Sequence, residues 1–345
     1  MNDRSTVSAR QRPRAAYALS PDHTPHVFAA AHLQRLAELC DIPDAVPLRQ
    51  FDDARAAAVL AEVEILITSW GCAPIGAEML VRAPKLRLIA HAAGTVKTFI
   101  APEIFAGDIA VTHAAAANAL PVAEFTLAAI LFANKRVLRF RQIYAESKVT
   151  RHAMPLADEP IGNYRKAIGI VGASRIGRRV IELLRPFAFE ILLHDPFVTP
   201  SEAKALGVTL LDLDDLIRRC DILSLHAPSL EATRHMIDAR RLALLRDGTT
   251  LINTARGALV DHAALEAELV SGRIDAVIDV TEPEVLPAGS PLYTLPNVLL
   301  TPHVAGALGS ERERLGALIV EEIERYTRGE PLQHGIDISA LERIA

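Results

Sequence analysis

Residues 167–177 read A-I-G-I-V-G-A-S-R-I-G, an apolar run that ends in small residues and opens a helical pattern. Such a turn can cradle a pyrophosphate. Gly172 allows the tight turn. Ser174 is the next smallest choice where the backbone must approach the phosphates, and Gly177 lets the helix pack closely on the strand. A strict G-x-G-x-x-G would have glycine at 174, so the motif alone is weak. A second apolar run, EILLHD, ends at Asp195, 23 residues after Gly172. A carboxylate there can accept hydrogen bonds from ribose hydroxyls and would repel a 2′-phosphate, which favours NAD over NADP. A turn or helix-cap aspartate is the competing reading of Asp195.

Two further residues could do chemistry at strand ends. Arg256 follows TTLINTA, and a guanidinium at the carboxyl end of a strand can hold a carboxylate through two parallel hydrogen bonds. His303 ends VLLTPH. An imidazole titrates near neutrality, so it can give a proton to a ketone oxygen and take one back from an alcohol. Most of the twelve histidines, among them His91, His113, His152 and His235, read as local packing or capping groups.

Short apolar runs position these residues. They are EILIT (64–68), LRLIAH (86–91), IAVTHA (109–114), AIGIVG (167–172), EILLHD (190–195), ILSLHA (222–227), TTLINTA (249–255), DAVIDV (275–280) and VLLTPH (298–303). Helical patterns alternate with them. That order predicts α/β architecture with parallel sheets covered on both faces. A long apolar helix starting near Pro121 marks a boundary, a polar loop is expected over about 141–164, and a last helix over 310–328 should return to the first domain.

Six segments resemble the NAD-dependent D-isomer-specific 2-hydroxyacid dehydrogenases. They are VAEFTLAAILFANKR (122–136), GIVGASRIGRRV (169–180), CDILSLHAPSLEATRHMI (220–237), LINTARGALVDHAAL (251–265), DVTEPE (279–284) and LLTPHVAG (299–306). The resemblance implies two doubly wound parallel-sheet domains: a Rossmann NAD-binding domain (119–306) inserted in a flavodoxin-like substrate domain (1–118 and 307–345). It implies hydride transfer between NAD(H) and a 2-oxo or D-2-hydroxy acid. Arg256 then anchors the carboxylate and His303 carries the proton. Glu284, five residues after Asp279, pairs with the histidine; a carboxylate beside an imidazole fixes its tautomer and favours the protonated ring. The family usually has E-P at this point, and here that pair is Glu282-Pro283, so Glu282 competes while spacing favours Glu284. Asp279 resembles the acceptor for the nicotinamide amide. Thr254 and Pro228 match positions that line the cofactor, and Arg175 and Ile176 lie over its pyrophosphate. Backbone N–H groups at Ala93, Gly94 and Thr95 should hold the substrate carboxylate opposite Arg256. Val96 and Lys97 depart from the family pattern there, which leaves the substrate open. Lys97 reads as solvated, and Trp70 and Cys72 as pocket wall or core. A homodimer is implied by the family and by the long apolar helix.

Composition narrows the class. The chain has 345 residues, half of them hydrophobic, enough for two cores. A net charge of −5 without a basic stripe argues against nucleic acid. Cys40, Cys72 and Cys220 are too sparse for a disulfide framework or a metal site and point to a reducing cytoplasm. The polar N-terminus, residues 1–14, reads as a loose tail without a signal. Residues 114–133 are interrupted by Asn118, Pro121 and Glu124, which argues against a membrane span. Two rivals stay open: a formate dehydrogenase, which pairs the histidine with glutamine, and a dinucleotide-sensing corepressor of the same fold with little or no turnover. A methyltransferase would have no use for Arg256, Glu284 and His303.

Overall fold

The computed structural model describes residues 12–97, 99–149 and 161–337. Among these, two compact units form, one from residues up to 118 and from 308 on, the other from 119–307.

The first unit holds a four-stranded parallel sheet, β1 (Ala15–Ala18), β2 (Ile65–Thr68), β3 (Leu88–His91) and β4 (Ala110–His113), in that spatial order. β1, β2 and β3 are buried at every position, so their sequences read as continuous apolar runs without alternation. A parallel bridge between Arg14 and Asp41 adds a chain segment outside β1. The order, counted with that segment as the second strand, becomes 2-1-3-4-5, the flavodoxin-like order. β1 is missing from the sequence reading because A-A-Y-A offers neither branched residues nor length. The expected loose tail lies mostly outside the described residues; its end is bound, for Asp41 N–H donates to the Pro13 carbonyl. Helix Glu313–Arg328 belongs to this unit and buries Leu315, Ile319 and Ile323. It starts three residues later than the sequence suggests, after a short 3-10 turn.

The second unit holds seven parallel strands: β5 (Ala167–Val171), β6 (Glu190–His194), β7 (Thr209–Leu210), β8 (Ile222–Leu225), β9 (Thr250–Asn253), β10 (Asp275–Ile278) and β11 (Val298–Leu300). Their order is β11-β10-β9-β8-β5-β6-β7. This is the Rossmann 3-2-1-4-5-6 order with one strand added, and chain direction across the sheet reverses between β5 and β8. Two apolar clusters fill the unit, one around Leu216, Leu242 and Leu265, the other around Val180, Ile181 and Ile130.

Two boundaries differ from expectation. The long helix spans Ala115–Asn134, with Pro121 inside it. The alanine run before the proline favours helix, and proline removes only one N–H bond. Residues 141–147, read as loop, belong to helix Val137–Ser147; residues 150–160, and with them His152, lie outside the described residues.

Candidate active site

The carboxyl edge of the seven-stranded sheet gathers the second unit's candidates. Gly172 closes β5 at φ 98°, in the left-handed region, and a Cβ there would meet Ala227 N at 2.7 Å. A Cβ on Gly177 would lie 2.1 Å from the Gly172 carbonyl oxygen. Both positions therefore require glycine. Ser174 does more than fill the place of a glycine. It is the N-cap of helix Arg175–Leu184, its hydroxyl accepting from Gly177 N–H at 3.3 Å. Among the described residues, the N–H groups of Arg175 and Ile176 donate to no protein acceptor. Asp195 accepts from Ala173 N–H at 2.7 Å and from Phe197 N–H at 2.8 Å, tying the end of β6 to the glycine turn. Pro228 follows β8, and its carbonyl accepts from the Thr233 hydroxyl.

His303 sits just past β11. Its Nδ1 lies 2.6 Å from Glu284 Oε1, and both side chains are at least half exposed. Glu282 faces elsewhere: it pairs with Arg234 at 2.9 Å and reaches His235 at 3.5 Å. Geometry therefore puts Glu284, not Glu282, beside the histidine. His303 has φ 58°, a left-handed conformation rare for a non-glycine residue and costing about 1–3 kcal/mol. Asp279 holds that turn in place. Its buried carboxylate accepts from Thr301 Oγ1 (2.6 Å), Val304 N–H (2.7 Å) and Ala305 N–H (2.9 Å), and its carbonyl accepts from His303 N–H. The resemblance implies Asp279 as acceptor for the nicotinamide amide; the structure shows that it shapes the histidine loop.

Arg256 follows β9 and precedes a short 3-10 turn. Burial lowers its pKa from the ordinary arginine value, and the charge of Glu284 acts in the opposite sense. A guanidinium so placed favours any anion that arrives. Gly257 beside it also requires glycine, since a Cβ would lie 2.2 Å from the Thr281 carbonyl carbon. Thr254 is buried and its hydroxyl pairs with Thr126 Oγ1 at 3.0 Å. Thr126 already donates to the Val122 carbonyl, so Thr254 is the donor in that pair.

In the first unit, Ala93, Gly94 and Thr95 follow β3. Among the described residues, none of their N–H groups donates to a protein acceptor. Val96 is fully buried in that unit's core, which explains why an acidic or amide residue is absent at this position. Lys97 is exposed. Trp70 is partly exposed, edge-on to His23 at 5.8 Å and under the Arg312 guanidinium at 5.6 Å, so it is not a core residue.

Residues 127–305 match the family model of the D-isomer specific 2-hydroxyacid dehydrogenase, NAD binding domain. This chain belongs to that family. D-3-phosphoglycerate dehydrogenase of Mycobacterium bovis is 31% identical over 303 residues, 86% of this chain and 56% of that protein. Glyoxylate reductase of Korarchaeum cryptofilum is 35% identical over 260 residues, covering 74% and 78%. A phosphoglycerate oxidoreductase from Rhizobium etli has the same fold, with a TM-score of 0.78 and 26% identity over 94% of this chain and 97% of that one. The chain spans about half the length of the phosphoglycerate dehydrogenases it matches.

The family's cofactor, NAD, fits the residues present. Gly172 and Gly177 let the end of β5 and the start of the following helix meet at backbone contact, and among the described residues that helix opens with N–H groups that have no protein acceptor, the arrangement a pyrophosphate requires.

Sequence reasoning missed three residues that shape this site. Asn253 is buried; its amide donates to the Arg256 carbonyl at 2.9 Å and its oxygen accepts from Ala255 N–H at 3.1 Å. The Thr281 hydroxyl lies 2.8 Å and 2.9 Å from the carbonyls of Pro283 and Glu284. Thr301 holds Asp279. All three sit within two or three residues of Arg256, Glu284 and His303, but only the folded loops reveal what they hold.

Proposed function

We propose that the protein is an NAD-dependent D-2-hydroxyacid dehydrogenase acting on CH–OH donors, interconverting a 2-oxo acid and its D-2-hydroxy acid. The observation that carries this is the 2.6 Å pair of His303 and Glu284 on the same sheet edge as Arg256. When bound, NADH supplies the hydride. Arg256 grips the substrate carboxylate through its guanidinium fork. The open N–H groups of the loop at 93–95 give a second set of anion donors. His303 Nδ1 is held by Glu284, so Nε2 is the atom that gives a proton to the ketone oxygen on reduction and takes it from the alcohol on oxidation. Asp195 accepts from the adenosine ribose, and the N–H groups of Arg175 and Ile176 meet the pyrophosphate.

The active form is proposed to be a homodimer in a reducing cytoplasm, with no nucleic acid or membrane as partner. Supporting this, all three cysteines are free. Helix Ala115–Asn134 is apolar enough by length and composition to cross a membrane, yet it carries Glu124 and Pro121. Its exposed apolar face borders a groove lined by Phe125, Ala129, Phe132, Val277, Pro296 and Leu299. A second copy of the chain covers such a face more readily than lipid does, given the glutamate.

The test is a panel of glyoxylate, pyruvate, hydroxypyruvate, phenylpyruvate and 2-oxoisocaproate with NADH and with NADPH. The oxidation of D-3-phosphoglycerate is added because several relatives carry that name. At least one 2-oxo acid should consume NADH faster than NADPH. Tight NADH binding with no turnover on any substrate would favour the corepressor reading.

A further inference from the structure

The loop after β3 is anchored by its carbonyls, and two consecutive anchors pull the same way. The Ala93 carbonyl accepts from Ala114 N–H at 3.0 Å. The next carbonyl, of Gly94, lies 2.9 Å from His113 Nδ1. A carbonyl can only accept, so Nδ1 carries the proton. Both donors, His113 and Ala114, stand where β4 ends and helix Ala115–Asn134 begins. A trans peptide unit is planar and points its C=O and the following N–H in opposite directions. Fixing the carbonyls of Ala93 and Gly94 toward β4 therefore turns the N–H groups of Gly94 and Thr95 away from it, both to one side. Two successive N–H groups facing one side form an anion-binding concavity. In an ordinary strand successive N–H groups alternate.

We propose that His113 is the positioning residue that aims the Gly94 and Thr95 N–H groups at the substrate carboxylate. Its side chain is 1% exposed, so the donor is not shared with solvent. Ser69 supports the same loop from β2's side, its hydroxyl donating to the Ala92 carbonyl at 2.9 Å, but the peptide it fixes leads to Ala93 N–H and not to the pair. Ala114 contributes through its backbone, so His113 is the anchor of this pair that a side-chain substitution can remove. This inference rests on the proposed 2-oxo acid chemistry.

Two variants separate positioning from bulk packing. In His113→Asn the amide Nδ2 stands the same number of bonds from the backbone as Nδ1, so a donor to Gly94 survives. In His113→Leu a methyl replaces it. Each is measured on the full chain for the KM of the best 2-oxo acid, kcat, the Kd of NADH, and oxamate binding to the NADH complex. His113→Leu should raise KM and the oxamate Kd about tenfold or more. NADH affinity should be unchanged, and His113→Asn should recover most of the loss. Equal KM values in wild type and His113→Leu would overturn the role, as would Asn and Leu variants equally impaired. A wild-type protein that neither reduces a 2-oxo acid nor binds oxamate would instead strike at the proposed function itself.

Discussion

His303 and Arg256 make separable demands on the reaction, and substitutions should show it. His303→Ala removes the proposed proton donor but touches nothing in the glycine turn. Turnover should fall at least about a hundredfold while NADH still binds as in wild type. Near-normal turnover would remove His303 from the chemistry. Arg256→Ala acts earlier. In the proposed mechanism the guanidinium holds the carboxylate in ground state and transition state alike, so much of its loss should appear in KM. A shift of about tenfold or more is expected for losing a charge-assisted hydrogen-bonded pair. Steady-state kinetics on the best substrate decides it, and an unchanged KM and rate would contradict the assignment. The precision of these two side chains comes from neighbours that do no chemistry. Asn253 buckles the chain that carries Arg256, Thr281 holds the carbonyls on either side of Glu284's backbone, and Asp279 keeps His303 at φ 58°.

At the scale of elements, the strand–turn–helix unit from β5 into helix Arg175–Leu184 is the tightest joint in the second unit. Gly177→Ala would drive a methyl to within 2.1 Å of a backbone oxygen, which no rotamer can relieve. Helix and turn must move apart, at about 1–3 kcal/mol. The NADH Kd should rise and the melting temperature should drop by several degrees. Gly289→Ala, where nothing lies within 4 Å, is the control and should change neither. A Gly177→Ala protein that binds NADH normally would show the close approach to be dispensable. This unit was also the most legible part of the sequence, because its constraint is local: an apolar run, small residues and a helix pattern follow one another directly. Arg256, Glu284 and His303 were legible through motifs that keep their spacing. What stayed hidden is made by contacts between distant segments. The alanine-rich β1 gains its strand identity only from pairing with β2. Ser174 reads as a small residue until its hydroxyl is seen capping a helix. His113 reads as packing until its partner, 19 residues away in sequence, is known.

Considered whole, each unit carries a histidine that burial holds neutral, His91 in the first and His226 in the second, and this predicts how the fold responds to acid. Burial pushes His91 in the first unit and His226 in the second down from 6.5 to about 3, with the charge of His113 adding to the effect at His91. An unfolded chain takes up these protons near pH 6.5, but the folded one does so only near pH 3. Stability from keeping the rings neutral is therefore complete above about pH 6.5 and is lost as pH falls toward 3. At about pH 5 the loss is about 2 kcal/mol per histidine. The single tryptophan, Trp70, reports on the first unit, so its fluorescence during urea unfolding isolates the share of His91. The midpoint should fall clearly between about pH 7.5 and pH 5, and replacing His91 by glutamine should flatten that dependence. A midpoint that does not move would mean that the His91 ring is solvated.

Assembly gives the last prediction at this scale. Phe132 is 60% exposed on helix Ala115–Asn134, and helix Val137–Ser147, which follows it in the chain, has no buried residue. Large apolar faces of this kind are rarely left to water. A two-fold interface uses each residue twice, so one substitution is felt on both copies. Covering one phenylalanine contributes about 1.5–3 kcal/mol, hence about 3–6 kcal/mol for the pair. Phe132→Asp should weaken the proposed dimer more than a hundredfold. Sedimentation at micromolar concentration, without detergent, should then show monomers that keep their secondary structure. A wild-type chain that sediments as a monomer would refute the dimer outright. A Phe132→Asp protein that stays dimeric would place the interface on another face, and the groove of Phe125, Val277 and Leu299 would need a different occupant.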